Sequence, residues 1–437
     1  MKRINNSVIA LSLFVGIANA NAQEKKTLSL DEAVQLGIQN SKNLKIDAAK
    51  IEEATADLLE AKNRQLPELK VSGSYMYLPI KPNVDIKLPG VSGAGGPEVH
   101  QVLYGSANLS VPIYSGGRIK YGIQSAKYLV EASKLSTEND KIAIAYNVAQ
   151  AYNNLFKANQ SIKVFEENLA ASQKRDETFL KMENNGLIAR NDRLKANLQT
   201  SNIELQLLEA KNNYNIANIN MDLLLGIPET TELEVDENYI EEGSDVKPVD
   251  FYVTEARENR KDLQALAQQR KAAELGSKAA KAENLPSIAF TGGYVAADIP
   301  KFLTVYNAIN VGIGVSYNLS NLWKENSSLR QSQAREKQLA ATDELLNDNI
   351  KLDVNREYQN TDYSKKRITV FEKSAEQANE NYRITKNKYD NGLATMTELL
   401  DADAAQIAAN VGVINAKADA ALAYRKLLQT TGTLTIK

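Results

Sequence analysis

The sequence predicts an α+β membrane protein in which one unit, made of a long helical hairpin and two β-strands, occurs twice. Three observations support this prediction. Residues 118–185 and 322–390 show helical periodicity without a proline, and each stretch stops at an Asn-Gly-Leu tripeptide. Before each stretch, segments of about ten residues alternate apolar with small or polar side chains, the period of two that is typical of β-strands.

The composition of the 437 residues excludes several kinds of site. The chain has no cysteine and a single histidine, His100, which excludes disulfides, thiol chemistry and His-dependent triads. We therefore expect no cofactor and no enzyme activity. The formal net charge of −2 gives no reason to expect nucleic acid as a partner.

The N-terminus has the pattern of a secretory signal peptide. Lys2 and Arg3 precede the apolar run 8–18, and 20–22 fits a cleavage site with small residues. The sequence therefore predicts a signal peptide over 1–22, with a short buried helix as the alternative. No other stretch approaches the roughly 20 apolar residues of a membrane-spanning helix.

The rest of the chain divides into two copies of one unit. Residues 40–44 match 259–263 at an offset of 219 residues, and from about Leu103 onward the offset is 206. The first copy thus carries 13 extra residues between its two strands. We assign repeat 1 to 23–228, an acidic linker to 229–249 and repeat 2 to 250–437. The linker has eight carboxylates and no Lys or Arg over 229–245, so we expect a solvated connection.

Each copy begins with a helix that ends at a Leu-Pro pair. The first helix starts at the capping box Ser29-Leu30-Asp31-Glu32 and runs to about Arg64, before Leu66-Pro67. The second covers about 253–283 and ends at Leu285-Pro286.

Strands are expected at about 68–78 and 102–113 in repeat 1, and at about 287–297 and 308–319 in repeat 2. A half-buried soluble sheet would show the same alternation. However, the Gly, Ser and Asn residues of the second face suit a water-filled lumen better than a core. The loop 78–101 is interpreted as a surface excursion, with an extracellular cap as the alternative.

The long helices run to the Asn-Gly-Leu tips and return as helices over 191–225 and 396–430. At 1.5 Å per residue the outgoing helices measure about 100 Å, which predicts coiled-coil-like hairpins. Four strands cannot close a barrel, and lipid does not tolerate open sheet edges. A membrane barrel must therefore be shared between chains, with eight strands in a dimer or twelve in a trimer, and only twelve leave room for a channel.

These features together resemble the TolC-type outer-membrane efflux proteins over essentially the whole mature length. The residues that carry the resemblance are the two Leu-Pro–strand units, the 112–117 turn, the two tips and the segment 397–402. The resemblance implies a homotrimer with a twelve-stranded β-barrel in the outer membrane of a Gram-negative-type cell and an α-helical barrel in the periplasm. It implies an exit duct for efflux or type I secretion, with a periplasmic adaptor and an inner-membrane transporter of RND, ABC or MFS type as partners.

The resemblance also assigns residues at the tips. Glu398 and Asp401 would line a pore constriction, and their i, i+3 spacing puts them on one helix face; a solvated helix face is the alternative. Adaptor docking would involve the two tip turns, namely Gly186, Leu187, Gly392 and Leu393.

Two residues, Asp192 and Tyr389, match members of the links that keep such tips closed. The basic residue expected at Ala394 is missing, with Arg190 or Lys388 as possible substitutes. Tyr114 and Trp323 follow strands, where an aromatic girdle or ordinary strand-end packing would account for them.

The alternative function is a secreted or surface coiled-coil scaffold that transports nothing. It would need no closed barrel, and its strands would form a soluble sheet.

Overall fold

A computed structural model describes residues 25–80, 99–236, 239–240, 246–300 and 302–435. The predicted signal peptide lies outside the described residues, as do most of the loop 78–101 and part of the acidic linker. Within the described ranges the chain forms eight α-helices and six β-strands.

The helices of repeat 1 are α1 (Leu30–Asn40), α2 (Lys42–Asn63), α3 (Arg118–Asn184) and α4 (Arg190–Leu225). Those of repeat 2 are α5 (Val249–Asn259), α6 (Lys261–Lys281), α7 (Ser327–Asp390) and α8 (Met396–Thr431). The two longest, α3 and α7, have 67 and 64 residues, so each measures about 100 Å. No helix in the described part of the chain is both long enough and apolar enough to cross a lipid bilayer.

The first helix of each repeat is interrupted, which the sequence did not predict. Ser41 separates α1 from α2 and Arg260 separates α5 from α6, and both have nearly the same backbone angles, with ψ of 122° and 121°. At the first break, Asn40 Nδ2 donates to the carbonyl of Leu225 at 2.7 Å. The end of α4 therefore abuts the α1–α2 junction. Neither break contains proline or glycine, so helical periodicity continues across it.

The main sheet contains β2 (Glu68–Tyr77), β3 (Gln101–Tyr114), β5 (Ser287–Ile299) and β6 (Leu303–Ser316). Its order is β2-β3-β5-β6 and all neighbours are antiparallel. The turn between β5 and β6 is shorter than expected, because both strands extend further toward it. A 3₁₀ turn at Leu319–Leu322 follows β6, so α7 begins at Ser327 instead of near residue 322.

The two faces of this sheet differ in polarity, as the alternating pattern predicted. One row across the four strands pairs Val71, Ala107, Tyr294 and Ile309, while the next row pairs Lys70, Asn108, Gly293 and Asn310. In the described part of the chain, many side chains of the apolar face are exposed. Its most exposed large side chains lie on the two outer strands, β2 and β6: Leu69, Val71, Tyr75, Tyr77, Ile309, Val311, Ile313 and Val315.

The acidic linker contains a buried strand, which corrects the expectation of a solvated connection. β4 (Glu232–Val235) pairs in parallel with β1 (Lys25–Leu28). Leu233 is fully buried there, within the largest apolar cluster of the described residues, and the side chain of Asn218 binds two backbone groups beside it. Asn218 donates to the Thr231 carbonyl at 2.6 Å and accepts from Leu233 N–H at 2.9 Å.

The largest buried cluster lies between this small sheet and α3. Tyr152 is fully buried, donates its hydroxyl to the Leu28 carbonyl at 2.8 Å and accepts from the Asp236 N–H at 2.8 Å. Burial raises the pKa of Tyr152 to about 12. The apolar alternate positions of β4 complete this core, whereas its glutamates face outward.

Candidate functional site

The two hairpin tips share one backbone turn. Gly186 and Gly392 both have φ of 71°, a left-handed conformation that favours glycine. The following N–H groups, of Leu187 and Leu393, each donate at 2.8 Å to the carbonyl five residues earlier, the bond that defines a Schellman helix end. A Cβ atom at either glycine would meet nothing within 4 Å. The turn therefore needs glycine for its backbone angle and not for space.

Both tip leucines point away from the protein. Leu187 and Leu393 are 69% and 77% exposed. Each tip thus presents one apolar side chain next to a rigid turn.

The apolar side chains behind the tips form one cluster that includes both hairpins. Its buried members come from three helices: Phe179, Ala196, Met396 and Leu399. The Tyr389 ring packs against Phe179 with centroids 5.8 Å apart. The two tips are therefore neighbours within one chain.

The predicted constriction residues lie on an exposed side of α8, next to the second tip. Glu398 and Asp401 are both exposed, whereas the adjacent Leu399 and Ala402 are buried. The Glu398 carboxylate accepts bonds from the Thr395 N–H at 2.6 Å and its hydroxyl at 2.9 Å. These bonds lower the pKa of Glu398 below its ordinary value, so this group carries a negative charge at neutral pH.

The predicted gate residues Asp192 and Tyr389 lie close enough within the chain for the Asp192 charge to act on the Tyr389 hydroxyl. Burial raises the pKa of Tyr389, and the negative charge of Asp192 adds to this shift. The cation next to Asp192 is Lys195, whose Nζ lies 3.5 Å from Oδ1. Lys195 Nζ also lies 3.4 Å from Thr397 Oγ1 on α8, whereas Arg190 and Lys388 were the residues considered from the sequence. The i, i+3 spacing of Asp192 and Lys195 was the signal that could have identified it.

One polar network near the tips was missed by the sequence interpretation. Arg175 on α3 binds Asp403 on α8 and the hydroxyl of Tyr382 on α7. The residues of the ion pair are 228 positions apart, so no helical pattern relates them.

The predicted girdle residues lie at the other end of the long helices. Tyr114 ends β3 and Trp323 follows the 3₁₀ turn after β6. Both rings are exposed, to 46% and 70%. Within the described residues, no group of three or more acidic or histidine side chains is arranged to hold a metal ion.

Comparisons with known proteins agree with this arrangement of helices and strands. The profile of the family described as outer membrane efflux protein matches residues 33–227 and 252–433. No curated protein gives a significant match by sequence.

Several solved structures of outer-membrane channels share the fold. The outer-membrane channel OprN matches with a TM-score of 0.77 and 16% identity, covering 92% of this chain and 89% of that one. VceC from Vibrio cholerae matches at 0.75 and 17% identity, over 92% and 96% of the two chains. The CmeC channel of Campylobacter jejuni matches at 0.75 and 18% identity, over 93% and 86%.

Proposed function

The chain belongs to the outer membrane efflux protein family, and from this premise we propose that it forms a trimeric channel-tunnel, the exit duct for efflux or type I secretion. Its place is the outer membrane of a Gram-negative-type cell, with the helices in the periplasm. The observation that carries the proposal is the four-stranded sheet, which has one polar face and one apolar face that is exposed in the described part of the chain. An apolar band facing lipid and a polar interior are what a membrane barrel needs.

The two outer strands of the main sheet support a trimer of this kind. β2 and β6 are the outer strands of the sheet, and each has one strand neighbour in the described part of the chain. Because unpaired strand edges are not tolerated in lipid, β6 of one subunit would pair with β2 of the next. Three chains would then give the twelve-stranded barrel.

Two of the long helices, α4 and α7, each carry a row of exposed apolar side chains. α4 packs mainly on α3, and α7 packs on α6 and α8. Four large exposed side chains lie along α7 at intervals of 7 or 11 residues: Leu345, Leu352, Tyr363 and Val370. Exposed apolar residues also follow α4, including Leu194, Leu198, Leu205 and Leu208. Contact between α7 of one subunit and α4 of the next would bury both rows and close an α-helical barrel.

The tips provide the surface for a periplasmic adaptor. The rigid turns at Gly186 and Gly392 hold Leu187 and Leu393 exposed, so six apolar contacts would be available around a trimer. The adaptor would connect the channel to an inner-membrane transporter of RND, ABC or MFS type.

The periplasmic entrance would be lined by Glu398 and Asp401. Three copies of this exposed pair would place six carboxylates around a narrow opening, a cation-attracting ring. Tyr114 and Trp323 would lie at the membrane interface, where aromatic rings are enriched.

The test is to separate the membranes of cells that produce the protein and to record currents from the purified protein in planar bilayers. We expect outer-membrane protein, a trimer that resists dissociation in detergent, and discrete channel currents. A soluble protein without currents would support the coiled-coil scaffold instead.

A further inference from the structure

Four lysines follow one face of α3 at intervals of seven residues, beginning next to the main sheet: Lys120, Lys127, Lys134 and Lys141. The two lysines farther from the sheet are each paired with a glutamate one turn earlier. Lys134 Nζ lies 3.7 Å from Glu131 Oε2, and Lys141 Nζ lies 2.7 Å from Glu138 Oε1. This half of the row is therefore neutralised by its own helix.

The two lysines nearest the sheet have no such partners. The residues three positions before Lys120 and Lys127 are Gly117 and Gln124 instead of glutamates. Both lysines are exposed, and neither forms an ion pair in the described part of the chain. Two uncompensated positive charges thus lie on the first turns of α3, with their backbone positions about 10 Å apart.

These two lysines line a groove of 540 Å³ at the junction of the sheet and the helices. It is bounded by Gln65 after α2, by the turn 112–117 and by the first turns of α3, and we call it the junction groove. Its large apolar side chains come from the end of β3 and from α3: Ile113, Tyr114, Ile119 and Ile123. The groove therefore combines an apolar lining with unpaired cations.

The junction groove lies at the end of the apolar face of the main sheet. Tyr114 is in register with Ile288 of β5. Ile288 is on the same strand face as Phe290 and Tyr294, since alternate residues of a strand share one face. Ile113 and Tyr114 are both exposed. An exposed apolar surface thus leads from the strands to the groove, where the first unpaired cations lie.

We propose that the junction groove binds one anionic phospholipid, with its phosphate between Lys120 and Lys127 and its acyl chains along Ile113 toward the sheet. A soluble anion would use the lysines but not the apolar lining, and a neutral lipid would use the lining but not the lysines. An anionic phospholipid uses both. The inference rests on the proposed channel function, which places the apolar sheet face in lipid and the groove at the periplasmic leaflet.

Repeat 2 does not have these lysines. The equivalent residues, 206 positions later, are Asn326 and Gln333. The Asn326 side chain donates to the Ala280 carbonyl at 3.2 Å and accepts from the Leu329 N–H at 2.8 Å, so it connects α6 to the start of α7. The lipid site is therefore confined to repeat 1, with one copy per chain.

Fluorescence quenching in vesicles tests the site directly, because the chain has no cysteine. Gln65→Cys, at an exposed position of the groove, carries a fluorophore. The protein is reconstituted into phosphatidylcholine vesicles with a small fraction of spin-labelled phosphatidylglycerol or spin-labelled phosphatidylcholine, each labelled near the carboxyl end of an acyl chain. We expect phosphatidylglycerol to bind more tightly, by about fivefold for each lysine. High salt should reduce this preference, because salt screens exposed charges.

The variant Lys120→Gln with Lys127→Gln should make the two lipids quench the fluorophore equally. The matched control, Lys134→Gln with Lys141→Gln, removes the two lysines of the same row that have glutamate partners, and it should keep the preference. Equal quenching by the two lipids before any lysine is changed would overturn the site. A preference that survives Lys120→Gln with Lys127→Gln would overturn it as well.

A reference label separates failure of the groove from failure of the channel. Val311→Cys places the fluorophore on the apolar face of β6, where the native side chain is exposed, and both lipids should quench it equally. Absence of quenching there would contradict the proposed membrane barrel, and the lipid site with it. Quenching at position 311 without a lipid preference at position 65 would overturn the anionic-lipid site and leave the barrel in place.

Discussion

The two hairpin tips have the same backbone turn but use the first carboxylate after it differently. Asp192 and Glu398 occupy equivalent positions, 206 residues apart. Glu398 folds back onto Thr395 in a complete capping box, whereas Ala189, the residue before α4, provides no side-chain cap. Asp192 instead contacts Lys195 and lies near Tyr389. The two copies thus share the turn, while the equivalent carboxylates differ: Glu398 caps its own helix, and Asp192 pairs with a lysine one turn further along α4.

The next equivalent pair shows the same divergence in charge. Lys195 of the first tip corresponds to Asp401 of the second. The first tip therefore carries one charge of each sign at these two positions, and the second carries two negative charges. If the proposed channel is correct, only the second tip can form an anionic ring.

The largest expected effect is on ion selectivity. Glu398→Ala with Asp401→Ala should reduce the preference for cations several-fold, because it removes six carboxylates from the proposed entrance. The matched control is Asp192→Ala with Lys195→Ala, which removes one charge of each sign and so keeps the net charge. This control should leave selectivity unchanged. Reversal potentials in planar bilayers under a salt gradient measure both. Equal effects of the two double variants would contradict the assignment of the ring to the second tip.

The next effect concerns the turns themselves and should be the same at both tips. Gly186→Ala and Gly392→Ala should each destabilise the local turn by about 1–2 kcal/mol, since a Cβ atom is disfavoured at positive φ. Hydrogen exchange of the tip amides measures the local opening free energy. Asn in place of either glycine should cost less, because Asn tolerates this conformation. A clear difference between the two Ala variants would show that the turns are not equivalent.

A smaller effect is expected from exchanging the helix caps. Thr395→Ala should destabilise the start of α8 by about 1 kcal/mol, because it removes the side-chain acceptor for a free N–H group. Ala189→Thr should stabilise the start of α4 by up to a similar amount, because Ala189 already has the extended backbone of a capping residue. Hydrogen exchange of the first-turn amides would report both changes. If Ala189→Thr gives no protection, the first tip is held by its contacts with the second hairpin.

The smallest effect is a pH dependence confined to the second tip. Hydrogen bonds from Thr395 to the Glu398 carboxylate hold the pKa of Glu398 below the ordinary value of 4.5. The stabilisation they provide is therefore present above pH 4.5 and is lost as the pH falls through the folded-state value. Opening of the first turn of α8, corrected for intrinsic exchange rates, should increase on acidification, and Glu398→Gln should abolish this dependence. If opening of this turn depends on pH in the same way in Glu398→Gln, the titrating group is another residue.

Local sequence signals predicted the tips and the strands well. Gly186 and Gly392 interrupt long helical patterns, and Leu66-Pro67 and Leu285-Pro286 end the helices that precede strands. By contrast, the sequence did not predict β4, because two of its four residues are glutamates within an acidic run. Its burial depends on β1 and Tyr152, which are distant in sequence. The helix breaks at Ser41 and Arg260 were not predicted either. Both lie where the chain contacts residues distant in sequence, at the ends of α4 and α8.

The sequence by itself determined where the long helices and the four strands of the main sheet lie, that the unit is duplicated, and which face of each of these strands is apolar. These properties follow from backbone preferences and periodicity, which act over a few residues. Only the tertiary structure decided that Tyr389 of the second hairpin would lie near Asp192 of the first, and that Arg175 would pair with Asp403. Such pairs depend on how two hairpins, separated by two hundred residues of chain, pack side by side, and no local pattern encodes that packing.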